Sequence, residues 1–571
     1  MKKIVSLLLV LGMIGSLAAC GNTNPVSKES ETLKETTQTS TGVEDSQATS
    51  EEVKEPVKIT VYPVNGSLVS GEVGDWAGEY LLENGIILEV WAHSDEKLNT
   101  MLASGDLPDI IYLPSGSDFK VISESGMLLD LEGYMDKMPS IANNEKIQNA
   151  IAYTKEYVTD GTLTMLPLRV GEMGALNNTD RLAIKLNWEV YEKIGCPEFS
   201  NLEELIPILK QMQEAYPQTA DGVKTYAMHM FSDSDGEYFN CIRNVIRVLG
   251  YTEEELPYFM EYDAFNDTLE YILEDDSMYK YALRFYNQLY REGLLDPDSI
   301  SAERLTQNSK IGAGGALAGW ASVPGYEKNG YYPVWFDDFK TYLERVSPFG
   351  DGSFIAVNAK TENLDTVLEF LDMIANPDEI LPLLGGPEGE MWEINAAGEV
   401  VLTQKGIDFW VNGVEATFAN GTKYNFLNTP MILHQGEKTS HGVNNTMSVS
   451  EEVVLLKNSN ELMQRWQEHN NYDNFYKMAM DKGALVLEVP YTNLNKFTAL
   501  PSDDMSIIMA AAKDELVAGS WKMVYAKTDA EFEQIWDDTI KSCEKLGIKD
   551  IMEWRKTELE KAADIKASIL K

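Results

Sequence analysis

The side chains of this 571-residue chain that could do chemistry are mostly aromatic rings and small polar groups beside glycines. Trp76 follows Gly74-Asp75, Trp320 stands in Gly319-Trp320-Ala321-Ser322, and Trp392 follows the turn Gly385-Gly386-Pro387-Glu388-Gly389. Tyr332 and Trp335 form a second aromatic pair. Asn65 and Ser67 follow one apolar run, Ser115 and Ser117 follow another, Arg169 follows Leu168, and Asp351 lies between two glycines. Rings supply contact area, and hydroxyl, amide and guanidinium groups supply orientation, so this set suits the binding of a polar solute. Each member also has a plainer role. Tryptophans fill cores, loop serines cap helices, and an aspartate between glycines suits a turn.

Covalent chemistry has less support. The sequence contains no Gly-x-Ser-x-Gly, no His-Glu-x-x-His and no Walker A motif. It has four cysteines without a Cys-x-x-Cys pair, and five histidines, of which His434 and His441 lack the spacing of a helical metal pair. Asp233-Ser234-Asp235-Gly236-Glu237 is acidic but lacks the spacing of a calcium loop. Neither a metal nor a cofactor is therefore expected. With 91 acidic residues, a carboxylate pair spaced for glycoside hydrolysis stays open, so an exported hydrolase remains an alternative. The net charge of −44 disfavours a nucleic-acid partner, because phosphate affinity comes from clustered Lys and Arg. It also disfavours an electrostatic grip on anionic lipid; a neutral solute fits best.

The N-terminus indicates a compartment. Met1-Lys2-Lys3 is a basic start, Ile4 to Leu17 is an apolar run too short to span a membrane comfortably, and Leu17-Ala18-Ala19-Cys20-Gly21 resembles the lipobox of bacterial lipoproteins. Residues 1–20 then form a signal peptide. Cys20 carries a diacylglyceryl anchor, and the chain sits on the outer face of the cell membrane through lipid alone. Residues 21–56 are rich in Ser, Thr, Glu and Gln and read as a disordered tether.

The elements that must position the candidates follow. Val57 to Tyr62 alternates as a first strand, a helix runs through Trp76, Tyr80, Leu81 and Leu82, and Ile86 to Trp91 is a second strand. A helix through Leu98, Met101 and Leu102 stops at Gly105, and Ile110 to Leu113 is a third strand without polar alternation. Strand, helix, strand, helix, strand predicts a parallel sheet buried on both faces, with ligands at the carboxyl ends of its strands. Beyond Ile184 the chain reads as mainly helical.

Several stretches resemble the extracellular solute-binding lipoproteins of ABC sugar importers, in the LplA-type branch related to maltose-binding proteins. They are Ser104-Gly105-Asp106-Leu107-Pro108-Asp109-Ile110, Leu289-Tyr290-Arg291-Glu292-Gly293-Leu294-Leu295-Asp296-Pro297, Ile311-Gly312-Ala313-Gly314 with Gly319-Trp320, the turn from Gly385 to Asn395, and Phe532-Glu533-Gln534-Ile535-Trp536 with Lys545-Leu546-Gly547. The resemblance implies an α/β, periplasmic-binding-protein-like two-lobed clam of type II, hinged, with a large helical second lobe. The first lobe would hold 57–168 and about 348–395, and the second about 169–347 and 396–571. It implies no enzymatic activity, a carbohydrate ligand, ABC permease transmembrane subunits as partners, and a monomer. It also marks Trp320 as the ring best placed to stack on a sugar, and so the residue whose loss would cost most affinity. Two departures stand out. Pro217 to Lys224 has too few carboxylates for the calcium loop many relatives carry, and Asn187-Trp188 stands where relatives usually have Asp-Trp. A receptor for peptide or another polar solute is the nearest alternative. An adhesin would show repeats or an all-β pattern, and neither is present.

Overall fold

In the computed structural model, which describes residues 55–63, 70–113, 122–123, 125–172, 183–231, 239–320, 330–343, 346–347, 349–350, 352–414, 432–445, 453, 456, 459–487, 489, 491, 494 and 497–569, the alternating start becomes β1 (Val57–Pro63). Helix α1 (Trp76–Glu83) begins at Asp75, whose carboxylate accepts from the amides of Ala77 and Gly78. Strand β3 (Ile86–Val90) lies parallel to β1. Helix α2 (Asp95–Ser104) is capped by the Ser94 hydroxyl and ends at Gly105 with φ 72°, a left-handed turn that glycine adopts without strain. It leads to β4 (Ile110–Leu113), parallel to β1 on its other side. With the edge strand β2 (Gly71–Glu72) and the antiparallel β15 (Phe354–Val357) and β5 (Leu166–Pro167), these make a six-stranded sheet in the order β2-β3-β1-β4-β15-β5.

All four residues of β4 are buried, as the lack of polar alternation predicts. Ile110 and Tyr112 join the main core of this lobe with α1, α3 (Glu145–Tyr157), α6 (Leu364–Met373) and α7 (Pro377–Gly385). Ile111 and Leu113 join a smaller cluster with Leu98 and Met101 of α2. Asp109 fixes the register of three segments. Its carboxylate accepts from the Thr60 amide and hydroxyl, both at 2.8 Å, and from the Thr361 hydroxyl at 2.5 Å. The Ser104–Ile110 stretch is therefore scaffold.

The expected lobe boundary at 396 does not hold. The hairpin of β16 (Trp392–Ile394) and β17 (Val400–Leu402) belongs to the first lobe, and Val400, Leu402, Trp410, Ile432, Leu433 and Val453 pack in the same core as Ile59 and Val61. The cause is aromatic contact at long range: Trp76 meets Phe409 edge to face at 5.1 Å and Trp410 at 6.1 Å.

The second core is mainly helical. Strand β7 (Ile184–Asn187) lies between antiparallel β11 (Ala318–Trp320) and β12 (Tyr331–Pro333). Strands β8 (Tyr251–Thr252), β9 (Met260–Asp263) and β10 (Thr268–Tyr271) form a small meander, and β13 (Thr341–Tyr342) pairs with β19 (Leu485–Val486). Around them pack α4 (Leu202–Ala215), α5 (Met278–Arg291), α8 (Asp503–Val524), α9 (Asp529–Leu546) and α10 (Ile548–Ile569). The buried Asn287 amide of α5 reaches the carbonyls of Met523, Val524 and Ala526 where α8 ends. Arg555 of α10 makes a buried bidentate pair with Glu255, at 2.7 and 2.9 Å, over the Tyr258 ring.

The chain passes between the cores beside another small sheet. Strand β6 (Val170–Glu172), directly after Leu168 of the first core, pairs antiparallel with β14 (Val346–Ser347) and parallel with β18 (His434–Gln435). A Cβ on Gly171 (φ 117°) would lie 2.4 Å from the Gln435 carbonyl oxygen. Beside the sheet, Phe349 meets Tyr153 of α3 at 4.7 Å and Phe497, which packs on the second lobe, at 5.8 Å. Gly171→Ala should lower the unfolding free energy by about 1–3 kcal/mol in urea titrations, through overpacking added to left-handed strain. Gly222→Ala, with φ 81° but no atom within 4 Å of its Cβ, should cost less.

Candidate binding site

Parallel α/β sheets bind ligands at the carboxyl ends of their strands. Among the described residues, that edge carries Trp91, Ala92, His93 and Ser94, directly after β3. The Trp91 amide donates to the Val61 carbonyl at 2.8 Å, and its half-buried ring packs against the cluster formed with α2. Tyr62 Oη lies 2.8 Å from His93 Nδ1 and donates to the Ser94 carbonyl at 3.1 Å. Lys97 Nζ stands 5.0 Å from the centre of the Trp91 ring and 6.0 Å from that of Tyr62. A groove of about 630 Å³ opens beside these groups and runs along α2, lined by Trp91, Ser94, Lys97, Thr100, Ser104 and Asp106 among others. Sequence reasoning passed over Trp91. The signal was its place as the first residue after an apolar strand, rather than any glycine nearby.

Two candidate tryptophans, Trp76 and Trp392, meet Trp410, which was not a candidate, at one helix end. The indole N–H of Trp76 donates to Leu383 O at 3.2 Å, that of Trp410 to Gly385 O at 3.3 Å, and that of Trp392 to Gly386 O at 2.7 Å. All three satisfy carbonyls at the carboxyl end of α7, which have no partner within the helix. Trp320 is 8% exposed in the second core, and its indole donates to the Tyr286 hydroxyl. Trp320→Ala would therefore delete a core side chain and its hydrogen bond. Tyr332 is buried and donates to Asn460 Oδ1 at 2.8 Å. Trp335 is half-buried beside Phe339, with Lys482 Nζ 4.4 Å from its ring centre. In this conformation these rings act as packing elements. Arg169 stands at the lobe crossing with φ 55°, its amide donating to Ile432 O and its guanidinium 3.5 Å from Ser353 Oγ. Cys20, Asn65, Ser67, Ser115, Ser117 and Asp351 lie outside the described residues. The described residues hold no group of three or more His, Cys, Asp or Glu side chains placed for a metal, and none of Cys196, Cys241 and Cys543 is in a disulfide.

The strongly perturbed acids belong to the scaffold. Burial alone would raise the pKa of Asp296, but hydrogen bonds from His229 and Lys310 hold its carboxyl well below the usual range. Burial pushes Glu261 up to about 8 even though it accepts from the amides of Met278 and Tyr279 at the start of α5. At the crossing, burial drives His434 down to about 4, with the Glu437 carboxylate 3.3 Å from Nε2 opposing the shift and Lys146 adding to it.

This last shift predicts a pH dependence. Below pH 6.5 the unfolded chain protonates at His434, while the fold resists the proton until about pH 4. The unfolded state then binds more protons, so stability falls on acidification through that window. Thermal midpoints of wild type should drop more steeply between those pH values than those of His434→Gln; superimposable profiles would mean that His434 titrates freely in the fold.

No protein-family model matches the chain. It is 24% identical over 214 residues to the fructooligosaccharide ABC transporter substrate-binding protein FusA of Streptococcus pneumoniae, an alignment covering 36% of this chain and 38% of that protein. Among solved structures it is similar to a solute-binding protein of Bifidobacterium longum infantis described as HMO-binding and ABC-transporter-associated, with TM-score 0.58, 16% identity, and coverage of 90% of this chain and 99% of that one. It is similar also to FusA in complex with kestose, with TM-score 0.55, 13% identity, and coverage of 90% and 100%. The chain therefore has a two-lobed α/β fold like that of these solute-binding proteins, with a large helical second lobe.

Proposed function

We propose that the protein is a receptor that captures a carbohydrate, most simply an oligosaccharide, outside the cell and delivers it to the transmembrane subunits of an ABC importer. The observation that carries this reading is the fold likeness over 90% of the chain to a protein described as HMO-binding and to FusA in complex with kestose. The site chemistry agrees with it. An indole beside hydroxyl groups suits a pyranose or furanose, which presents C–H faces to rings and hydroxyls to polar groups.

The mechanism follows from the crossing. The strands β6 and β14, paired with each other, lie where the chain runs between the two cores and give a soft axis there, and a solute that touches both lobes binds the closed form more tightly than the open one. The permease then reads closure rather than the sugar. The protein has no catalytic role in this scheme, acts as a monomer, and stays at the membrane through acylated Cys20. No described helix is long and apolar enough to cross a membrane.

Titration calorimetry against neutral mono- and oligosaccharides and short peptides tests the proposal, with chromatography of the recovered ligand. Binding of at least one oligosaccharide, recovered uncleaved, is expected. Heat with peptides alone would move the reading to a peptide receptor, and cleavage during the titration would make it a hydrolase.

A further inference from the structure

The groove along α2 has features that the receptor reading does not itself require. In a chain of net charge −44, Lys97 has no carboxylate within ion-pair distance among the described residues. Its ammonium is held instead over the rings of Trp91 and Tyr62, an arrangement of cation–π type. The groove beside it holds one indole, the hydroxyls of Ser94, Thr100 and Ser104, this ammonium, and the Asp106 carboxylate. Polar donors and acceptors thus share the groove with one apolar ring, which is the lining a polyol needs and a hydrocarbon does not.

Length narrows the class further. The lining runs from Trp91, before the first turn of α2, to Leu107, beyond its last. Ten helical residues at about 1.5 Å each span roughly 15 Å, longer than a single sugar ring. The volume of about 630 Å³ falls in the range of ligand pockets, roughly 300–1,000 Å³. We infer that this groove is a first-lobe subsite for a linear, neutral oligosaccharide. One sugar unit packs on Trp91 and receives hydrogen bonds from Lys97, and further units extend along Thr100 and Ser104 toward Asp106. The inference rests on the receptor reading and adds a location and a preference for chain length. An anionic sugar fits less well, because the lining holds the Glu96 and Asp106 carboxylates against one ammonium.

The test uses the mature protein and fructo-, malto- and cello-oligosaccharides of two to five units, titrated by calorimetry. Wild-type affinity should rise with chain length for at least one series. Trp91→Ala should weaken the longest members at least tenfold and Trp91→Phe much less; Lys97→Met should weaken them several-fold. Thr100 is exposed, its hydroxyl donating only to the Glu96 carbonyl one turn back. Thr100→Trp should therefore fold normally, fill the groove and abolish the gain with length, which keeps the test decisive if Trp91→Ala proves unstable. If wild type binds a series and Thr100→Trp keeps its length dependence, the groove is not the subsite while the receptor reading stands. If wild type binds none of the three series, the subsite as stated falls, and the broader sugar panel decides the receptor reading separately.

Discussion

A chain that leaves one hydrophobic core to enter another must carry its backbone N–H and C=O groups across a region with no core of its own. Buried unpaired groups of this kind cost free energy, so the passage has to supply its own partners. Here β14, β6 and β18 pair with one another at the passage. The close fit shows at Gly171, where a methyl group would overlap the Gln435 carbonyl, and at Gly350, where one would overlap the Leu168 carbonyl. Arg169, a residue with a side chain, also sits at positive φ there. Among the described residues, ring contacts of Tyr153, Tyr157, Phe349 and Phe497 also lie beside these strands.

The same demand for partners explains the tryptophans. Helix α7 ends inside the first lobe, where its last carbonyls cannot reach water, and three indoles converge on Leu383, Gly385 and Gly386. Gly386, at φ 94°, leaves no room for a side chain, because a Cβ would stand 2.5 Å from Met391. The glycine-rich turn thus exists to let Trp392 fold back on the helix end, and the hairpin it starts is drawn into the first lobe. A ring beside glycines was a sound reason to expect a functional tryptophan. The function turned out to be capping.

What the sequence disclosed was mostly local. Gly105 as a helix stop and Ile110–Leu113 as a strand buried on both faces depend on neighbours within a few positions, and both are present in the structure. The two-lobed architecture came from the family that the motifs resemble. The roles of individual rings stayed hidden because their partners are remote. The Trp76 indole bonds to a carbonyl 307 positions away, and Trp320 is placed by its hydrogen bond to Tyr286 and the packing around both. The boundary at 396 failed for the same reason, since the pull of Trp76 on Phe409 and Trp410 leaves no trace in the sequence around them.

In the proposed mechanism a solute draws two separate cores together about one small sheet. Small-angle X-ray scattering of the mature protein, with and without a saturating oligosaccharide that calorimetry shows to bind, measures this directly. A smaller radius of gyration in the presence of ligand is the result expected. A bound sugar with no change in radius of gyration would contradict it, because the crossing would then act as a fixed joint and closure could not be what the permease reads.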